Sequence, residues 1–319
     1  MAARKKAQSS QSDIPTKTAT LPRVRIGISG WRYAGWRGVF YPEGLAQRRE
    51  LEFASRQFET IEINGTFYSL QHLKSFQQWA RETPDDFVFS LKGSRYITHM
   101  LKLRGIEAAL ANYFGSGMLT LGPKCGPILW QFAPQMRFDR GRFETFFRLL
   151  PRTVKQAASF ARRHATRLAD PSAIKVPSGS DAPIRHCVEI RHESFVTPEF
   201  IDLLREHNIG LVPADTVEWP LLLDVTSDFV YCRLHGSEQL YFSGYDPPAL
   251  DLWASRIQTW ANGGTPNPDP TTKPEARLAS PILASSQPRD VFVYFDNDAK
   301  VRAPFDAQDL RSRVQKRLL

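Results

Sequence analysis

The sequence predicts a (β/α)8 barrel of the TIM type, an α/β fold built as one domain. Eight short apolar runs with strand character alternate with helical segments along 319 residues. Strands separated by helices pair in parallel, and eight such units close into a barrel of this size. The main alternative is an open doubly wound sheet, which carries a Gly-rich phosphate loop after its first strand. The sequence has Ser29-Gly30-Trp31 at that point, which disfavours this alternative.

The predicted strands are short and rich in β-branched and aromatic residues, which suits strands with two covered faces. They cover residues 24–28, 59–64, 87–92, 127–132, 187–195, 209–213, 229–234 and 291–295. The predicted helices cover residues 44–58, 73–82, 105–114, 143–150, 154–167, 198–207, 251–262 and 307–318. Helix 73–82 stops before Pro84, as a proline requires.

Composition changes divide the chain into a tail and a barrel domain with two insertions. Residues 1–22 are polar and basic and are predicted to be disordered, and residues 23–319 form the barrel domain. Residues 168–184 and 263–289 are rich in Pro and Ser and are predicted to be surface insertions.

Charge and cysteine usage indicate a cytoplasmic protein. Three cysteines, Cys125, Cys187 and Cys232, lie far apart without a C-x-x-C pair, which argues against a structural zinc and fits a reducing compartment. No apolar run is long enough to cross a bilayer, and residues 1–20 lack the apolar core of a secretory signal. The net charge of +9 is concentrated in residues 1–23 and 300–319, which indicates solubilising ends more than a nucleic-acid surface.

Polar residues recur two apart at the predicted strand ends, with an apolar residue between them. Because side chains alternate along a strand, both members of a pair point the same way, and we expect them to face the barrel mouth. Catalytic groups of such barrels lie at this end. The pairs are Glu62/Asn64, Ser90/Lys92, Glu189/Arg191 and Arg233/His235, with single polar groups at Gln131, Asp215 and Asp296 or Asp298. The alternative interpretation is a buried ion-pair network that only fills the mouth.

These residue types predict acid–base chemistry on an anionic substrate. Glu62, Glu189 and His235 are the candidate catalytic acids and bases, since carboxylates and imidazoles move protons near neutral pH. Guanidinium and ammonium groups bind phosphate or carboxylate. The candidate substrate-binding residues are Asn64, Lys92, Arg95, His99, Gln131, Arg191, His192, Asp215, Arg233, Asp296 and Asn297.

Two other chemistries are weighed against this prediction. Lys92 can form a Schiff base if its neighbours lower its pKa, but an electrostatic clamp is the preferred role. A divalent metal could use the Glu, Asp and His side chains as ligands, but Arg191 and Arg233 would repel the cation, so no metal or other cofactor is expected.

The ordered motifs resemble those of the YecE-like family, domain of unknown function number 72. They are GISGW at 27–31, YAGW at 33–36, FYP at 40–42, EINGTFY at 62–68, Lys92 with ITHM at 97–100, GPIL at 126–129, VEIRH at 188–192, YCRLHG at 231–236 and VYFDND at 293–298. The resemblance covers about residues 24–315 and implies a TIM barrel, but it implies no particular reaction. The two insertions depart from the family pattern, and so does QFAP at 131–134, where relatives often have Gln-Leu-Pro-Pro.

We therefore predict a metal-independent enzyme, a hydrolase or lyase, that acts on a small anionic molecule at the barrel mouth. A nucleic-acid-binding or phosphodiester-processing protein is a second hypothesis, based on the basic ends. A non-catalytic ligand-binding scaffold is the third. No membrane partner is expected, and the sequence does not predict an oligomeric state.

Overall fold

The computed structural model describes residues 23–167, 170–176, 181–236, 243–269, 275–279 and 287–318. Within these ranges the chain alternates between strands and helices, as predicted. The strands are β1 (Val24–Ser29), β2 (Thr60–Ile63), β3 (Val88–Lys92), β4 (Cys125–Gln131), β5 (His186–Glu189), β6 (Gly210–Leu211), β7 (Ala214–Asp215), β8 (Leu221–Leu222), β9 (Phe229–Leu234), β10 (Glu275–Ala276) and β11 (Asp290–Phe295).

Nine of the described strands form one parallel sheet, in the order β6-β5-β4-β3-β2-β1-β11-β9-β7. The two edge strands, β6 and β7, are separated by only Val212 and Pro213. Val212 N donates to Val188 O on one side, and Arg233 N donates to Pro213 O on the other, both at 3.0 Å. The sixth predicted strand thus pairs with both ends of the sheet, which curls into a TIM-barrel-like fold. This confirms the predicted fold class.

Helices surround the sheet, and several start or stop where a local signal differs from the prediction. They are α1 (Glu50–Gln57), α2 (Gly65–Tyr68), α3 (Leu73–Glu82), α4 (Glu107–Phe114), α5 (Arg140–Leu149), α6 (Val154–His164), α7 (Pro198–Glu206), α8 (Pro247–Ala261) and α9 (Arg302–Leu318). Helix α8 begins before residue 251 because Asp246 caps it and Pro247 occupies its first turn. Gly44 lies outside α1 because its left-handed φ of 77° does not fit a right-handed helix, and a 3-10 turn, Gln47–Arg49, directly precedes α1.

Apolar residues form two separate cores, one on each face of the sheet. The larger core lies between strands and helices and includes Ile63, Leu91 and Val188. The smaller core fills the lower barrel interior and comprises Val88, Leu129, Cys187, Val212, Phe229, Tyr231, Phe292 and Tyr294. Above it, towards the carboxyl ends of the strands, the inward side chains become polar and charged.

The predicted tail, residues 1–22, lies outside the described residues. The described parts of the two predicted insertions contain a short 3-10 helix, Pro171–Ile174, and the strand β10, which pairs in parallel with β8. No helix of the described chain is both long and apolar enough to cross a membrane.

Candidate active site

The guanidinium of Arg233 lies at the centre of the barrel mouth and has no exposed surface. Its Nη1 donates to Glu189 Oε2 at 2.7 Å, and its Nη2 donates to Asp296 Oδ2 at 2.7 Å and to Glu62 Oε1 at 2.9 Å. Its Nε donates to Glu62 Oε2 at 3.1 Å. Burial by itself lowers the pKa of Arg233, but the three carboxylates more than reverse this and raise it well above its usual value. Arg233 therefore stays charged and joins strands from several sides of the barrel.

The carboxylate of Glu62 accepts hydrogen bonds from two hydroxyl groups as well as from Arg233. The hydroxyl of Tyr231 donates to Glu62 Oε2 at 2.6 Å, and Ser29 Oγ donates to Glu62 Oε1. Ser29 also accepts a 3.1 Å hydrogen bond from the amide of Asn64, whose side chain is half-buried. The predicted pair Glu62/Asn64 thus meets at Ser29, and Glu62 itself is completely buried.

Glu189 and Arg191 both point into the mouth and bond to each other. Arg191 donates to Glu189 Oε1 from Nη2 at 2.7 Å and from Nε at 2.9 Å. The guanidinium of Arg191 also stacks on Trp219, with its Cζ 3.7 Å from the ring centroid. Burial alone would raise the pKa of Glu189, but Arg233 and Arg191 lower it well below its ordinary value. Glu189 is therefore an ionised, fully buried bridge between two arginines.

His235 and Asp296 lie beside Arg233, Glu62 and Glu189, and we call these five side chains the charged floor of the mouth. His235 Nε2 lies 3.3 Å from Glu189 Oε2, and its Nδ1 lies 3.2 Å from Asp296 Oδ2. His235 is fully buried, whereas the Asp296 side chain is 13% exposed. Burial by itself raises the pKa of Asp296, but the charge of Arg233 and the contact with His235 lower it below its usual range. Asp296 is thus the floor carboxylate that a molecule entering the mouth can reach.

Lys92 differs from these groups because its ammonium makes no hydrogen bond or ion pair with any described residue. The side chain is 8% exposed, and Nζ lies 4.7 Å from the centroid of the Phe67 ring. Burial, together with the charge of Arg233, lowers the pKa of Lys92 to about 8. The same crowding of cations affects His99, whose pKa falls to about 4 through burial and the charges of Arg191 and Lys92.

Three further predicted residues lie near the mouth with fewer contacts. Gln131 ends β4 opposite Glu189, and its buried Oε1 accepts no hydrogen bond within the described chain. Arg95 is exposed and precedes the π-helical turn Tyr96–Met100, which carries His99.

Three predicted residues have side chains that bond outside the mouth. His192 caps a 3-10 turn by accepting from Ser194 N at 3.0 Å. Asp215 accepts from Trp253 Nε1 at 2.8 Å, and Asn297 Nδ2 donates to Asp306 at 2.8 Å. Asp215 is in register with Leu234, so the alternation of the strand turns it towards the helices. His192 and Asn297 lie beyond the ends of their strands, where the alternation no longer sets the direction of the side chain.

Sequence reasoning missed three residues that shape the site. Ser29 lies two residues after Gly27 on β1, and Tyr231 lies two residues before Arg233 on β9. Both therefore face inward, and the same alternation could have identified them. Trp219 follows β7 in an irregular segment and packs at right angles to His235, with ring centroids 5.5 Å apart. No periodic signal marks a residue of that kind.

Comparisons with known proteins agree on one family. The family model described as "Protein of unknown function DUF72" matches residues 25–318. The chain is 27% identical over 116 residues to the UPF0759 protein YunF of Bacillus subtilis, which covers 35% of this chain and 40% of that protein. It is 29% identical over 123 residues to the UPF0759 protein YecE of Escherichia coli K12, covering 34% and 43%. The matched region thus spans less than half the length of these curated relatives.

Solved structures match over nearly the whole chain. The crystal structure of a DUF72 family protein from Thermotoga maritima has a TM-score of 0.65 at 21% identity and covers 92% of this chain and 99% of its own. One from Enterococcus faecalis has a TM-score of 0.59 at 14% identity, with coverages of 92% and 97%. At these identities the match speaks for the fold alone.

Proposed function

This chain belongs to the DUF72 family, and we propose that it is a metal-independent enzyme acting on a small molecule that carries a phosphate or a carboxylate. The substrate binds at the carboxyl ends of the strands. The observation that carries the proposal is Lys92, a nearly buried cation without a hydrogen-bonding or acidic partner among the described residues. A buried charge costs several kcal/mol unless it is paired, in order-of-magnitude terms. An anionic ligand supplies the missing partner.

The nearby carboxylates support an anion rather than a metal as the ligand. Glu62, Glu189 and Asp296 surround one point, but the guanidinium of Arg233 already occupies that point. A metal ion would have to displace this guanidinium before it could use the same oxygens. In the described ranges, no three His, Cys, Asp or Glu side chains are grouped as ligands for a metal.

The proposed roles follow from exposure. Lys92, Arg191 and Asn64 face the substrate, with Gln131 and His99 beside them, because these side chains reach the mouth. Asp296 is the proposed acid or base, since it is the floor carboxylate with exposed surface. Glu62, Glu189 and His235 act as positioning residues in this arrangement, because they touch the substrate only through Arg233, Arg191 and Asp296. A hydrolase or a lyase can use this set.

Ligand binding is tested by thermal unfolding of the full chain with inorganic phosphate, small phosphate esters and small carboxylates, each with and without EDTA. We expect a saturable rise in Tm with at least one phosphate- or carboxylate-bearing class, unchanged by EDTA. Replacing Lys92 by Met should abolish the rise. Arg140→Met is the matched control, because Arg140 pairs with Glu206 on the surface, at 2.9 Å. No rise with any anion, or an equal rise in Lys92→Met, would contradict the assigned binding site.

Catalysis is tested by incubating the same anions with the protein and following them by NMR. Turnover that survives EDTA and is lost in Asp296→Asn is the expected result. Saturable binding without turnover of any anion would favour the scaffold hypothesis over the enzyme.

A further inference from the structure

Two lysines of this barrel are buried to the same extent but differ in the hydrogen bonds that their ammonium groups make. Lys92 and Lys124 are each 8% exposed. Lys124 Nζ donates to Ala80 O at 2.7 Å, to Thr83 O at 2.8 Å and to Thr83 Oγ1 at 3.3 Å. All three donors of Lys124 are thus satisfied, as expected of a structural ammonium. The ammonium of Lys92 makes none of these hydrogen bonds within the described chain, so a structural role like that of Lys124 does not explain why this lysine is buried.

The surroundings of Lys92 shift its titration towards the neutral amine, although the ammonium still predominates near pH 7. The face of the Phe67 ring lies 4.7 Å from Nζ and attracts the ammonium form, but burial and the charge of Arg233 lower the pKa to about 8. The charged groups that act on it are Arg233, Glu62, Asp296 and Glu189. Arg191 and Arg95 act on the nearby His99, whose pKa of about 4 leaves its ring neutral near pH 7. The carboxylates are each bonded to Arg233, so they do not hold the Lys92 proton by direct contact. A neutral amine in an enclosed site is a nucleophile for carbonyl groups.

We propose that Lys92 forms an imine with an aldehyde or ketone carbonyl of the substrate. The inference rests on the proposed function, because it deepens the substrate class to a small anion that also carries a carbonyl, such as an oxoacid or a phosphorylated aldehyde or ketone. After the ammonium loses a proton, the nitrogen lone pair forms a C–N bond while the carbonyl oxygen takes up a proton. The C–O bond then breaks, water leaves, and a protonated C=N bond remains. In sum, one ammonium and one carbonyl give one iminium and one water.

An iminium at this point would draw electrons from the neighbouring carbon of the substrate. Cleavage of a C–H or C–C bond next to the original carbonyl is therefore the reaction class that the lysine supports. Of the two enzyme classes proposed above, this favours a lyase. The proton released or required at that carbon falls to the side chain of Asp296, the floor carboxylate that is 13% exposed.

The experiment traps the imine on the wild-type protein. The full chain is mixed with a small molar excess of pyridoxal 5′-phosphate, which carries both an aldehyde and a phosphate, and is reduced with borohydride. Glyoxylate with cyanoborohydride is the smaller second probe. After proteolysis, mass spectrometry locates the reduced adduct. We expect the peptide with Lys92 to be modified at least tenfold more than those with Lys124 and the exposed Lys74 and Lys155. Modification of the exposed lysines alone by both probes would overturn the proposal.

Variants and pH separate this inference from anion binding. Lys92→Arg keeps the positive charge but forms no imine, so we expect it to keep the phosphate-induced rise in Tm and to lose the adduct. Raising the pH through about 8 should increase trapping and weaken phosphate binding, because the first needs the amine and the second the ammonium. Phosphate stabilisation without trapping would leave the proposed function standing and remove the imine. Trapping at Lys92 without stabilisation by any anion would remove the anion site instead.

Discussion

Arg233 is the residue on which the charged floor depends, because its guanidinium bonds to carboxylates on two strands and to a third just after the end of β11. Replacing it with Met keeps most of the side-chain volume but leaves Glu62, Glu189 and Asp296 facing one another in the barrel. We expect Arg233→Met to lower the free energy of unfolding in urea by about 3–5 kcal/mol, since uncompensated buried charges are costly.

The control is Arg140→Met, which breaks a surface ion pair and should change the free energy of unfolding only slightly. Equal stabilities for Arg233→Met and the wild type would show that the carboxylates are not held by this guanidinium.

Asp298 lies two residues beyond Asp296 and has a raised pKa. Burial and the charge of Asp296 raise its pKa from the ordinary 3.8 to about 6. The folded chain then binds this proton more tightly than the unfolded chain. The contribution of the protonated carboxyl to the free energy of unfolding is therefore complete below pH 3.8 and is lost as the pH rises through 6. Asp298→Asn should therefore stabilise the fold at about pH 7.5 by roughly 1 kcal/mol, allowing for partial exposure.

Urea unfolding of Asp298→Asn and the wild type across this pH range checks the sign. The difference between them should shrink as the pH falls below 6 and approach zero below about pH 3.8, where the Asp298 carboxyl is protonated in both the folded and the unfolded wild type. A difference that does not change with pH would mean that the carboxyl is not the cause.

At the scale of elements, Gly27 sets how closely β1 approaches β2. A Cβ at Gly27 would lie 1.9 Å from the backbone oxygen of Thr60. The Thr60 hydroxyl bonds to Tyr294 at 2.7 Å across the interior, so this strand cannot move aside without breaking that contact. We expect Gly27→Ala to cost about 1–3 kcal/mol or more in urea unfolding, as overpacking does.

Gly35→Ala is the matched control, because a Cβ at Gly35 meets nothing within 4 Å. It should be neutral or slightly stabilising, since Ala restricts the unfolded chain more than Gly does. Equal effects of the two substitutions would show that the packing of β1 on β2 does not limit stability.

The strands and their inward positions could be predicted because alternation with a period of two is a local property. It correctly placed Glu62, Glu189 and Arg233 on the inner face. It could not show that Arg233 lies between the two glutamates, since distances across the interior depend on how the strands tilt and close. Local reasoning also failed where strands end, as at Asn297 and His192, because side chains leave the alternating pattern there.

At the scale of the whole molecule, the closed sheet brings side chains from distant strands together in the charged floor, so that these strands are coupled energetically. Arg233 on β9 receives Glu62 from β2 and Glu189 from β5, which are 171 and 44 residues away in sequence. The strand order places β2 and β5 on different parts of the sheet, and both meet at this one guanidinium. Replacing one glutamate should therefore change how much the other contributes to the free energy of unfolding.

A double-mutant cycle measures this coupling. With one glutamate replaced by Gln, Arg233 keeps two carboxylates, but with both replaced it keeps only Asp296 in a buried site. We expect the destabilisation of Glu62→Gln/Glu189→Gln in urea to exceed the sum of the single effects by about 0.5–3 kcal/mol. Glu50 is an equally buried control that bonds to Arg37 at 2.8 Å, away from the floor. Glu50→Gln combined with Glu189→Gln should be additive within about 0.5 kcal/mol. Additivity in both cycles would mean that Arg233 does not join the two strands energetically, because a shared buried cation makes the second loss costlier than the first.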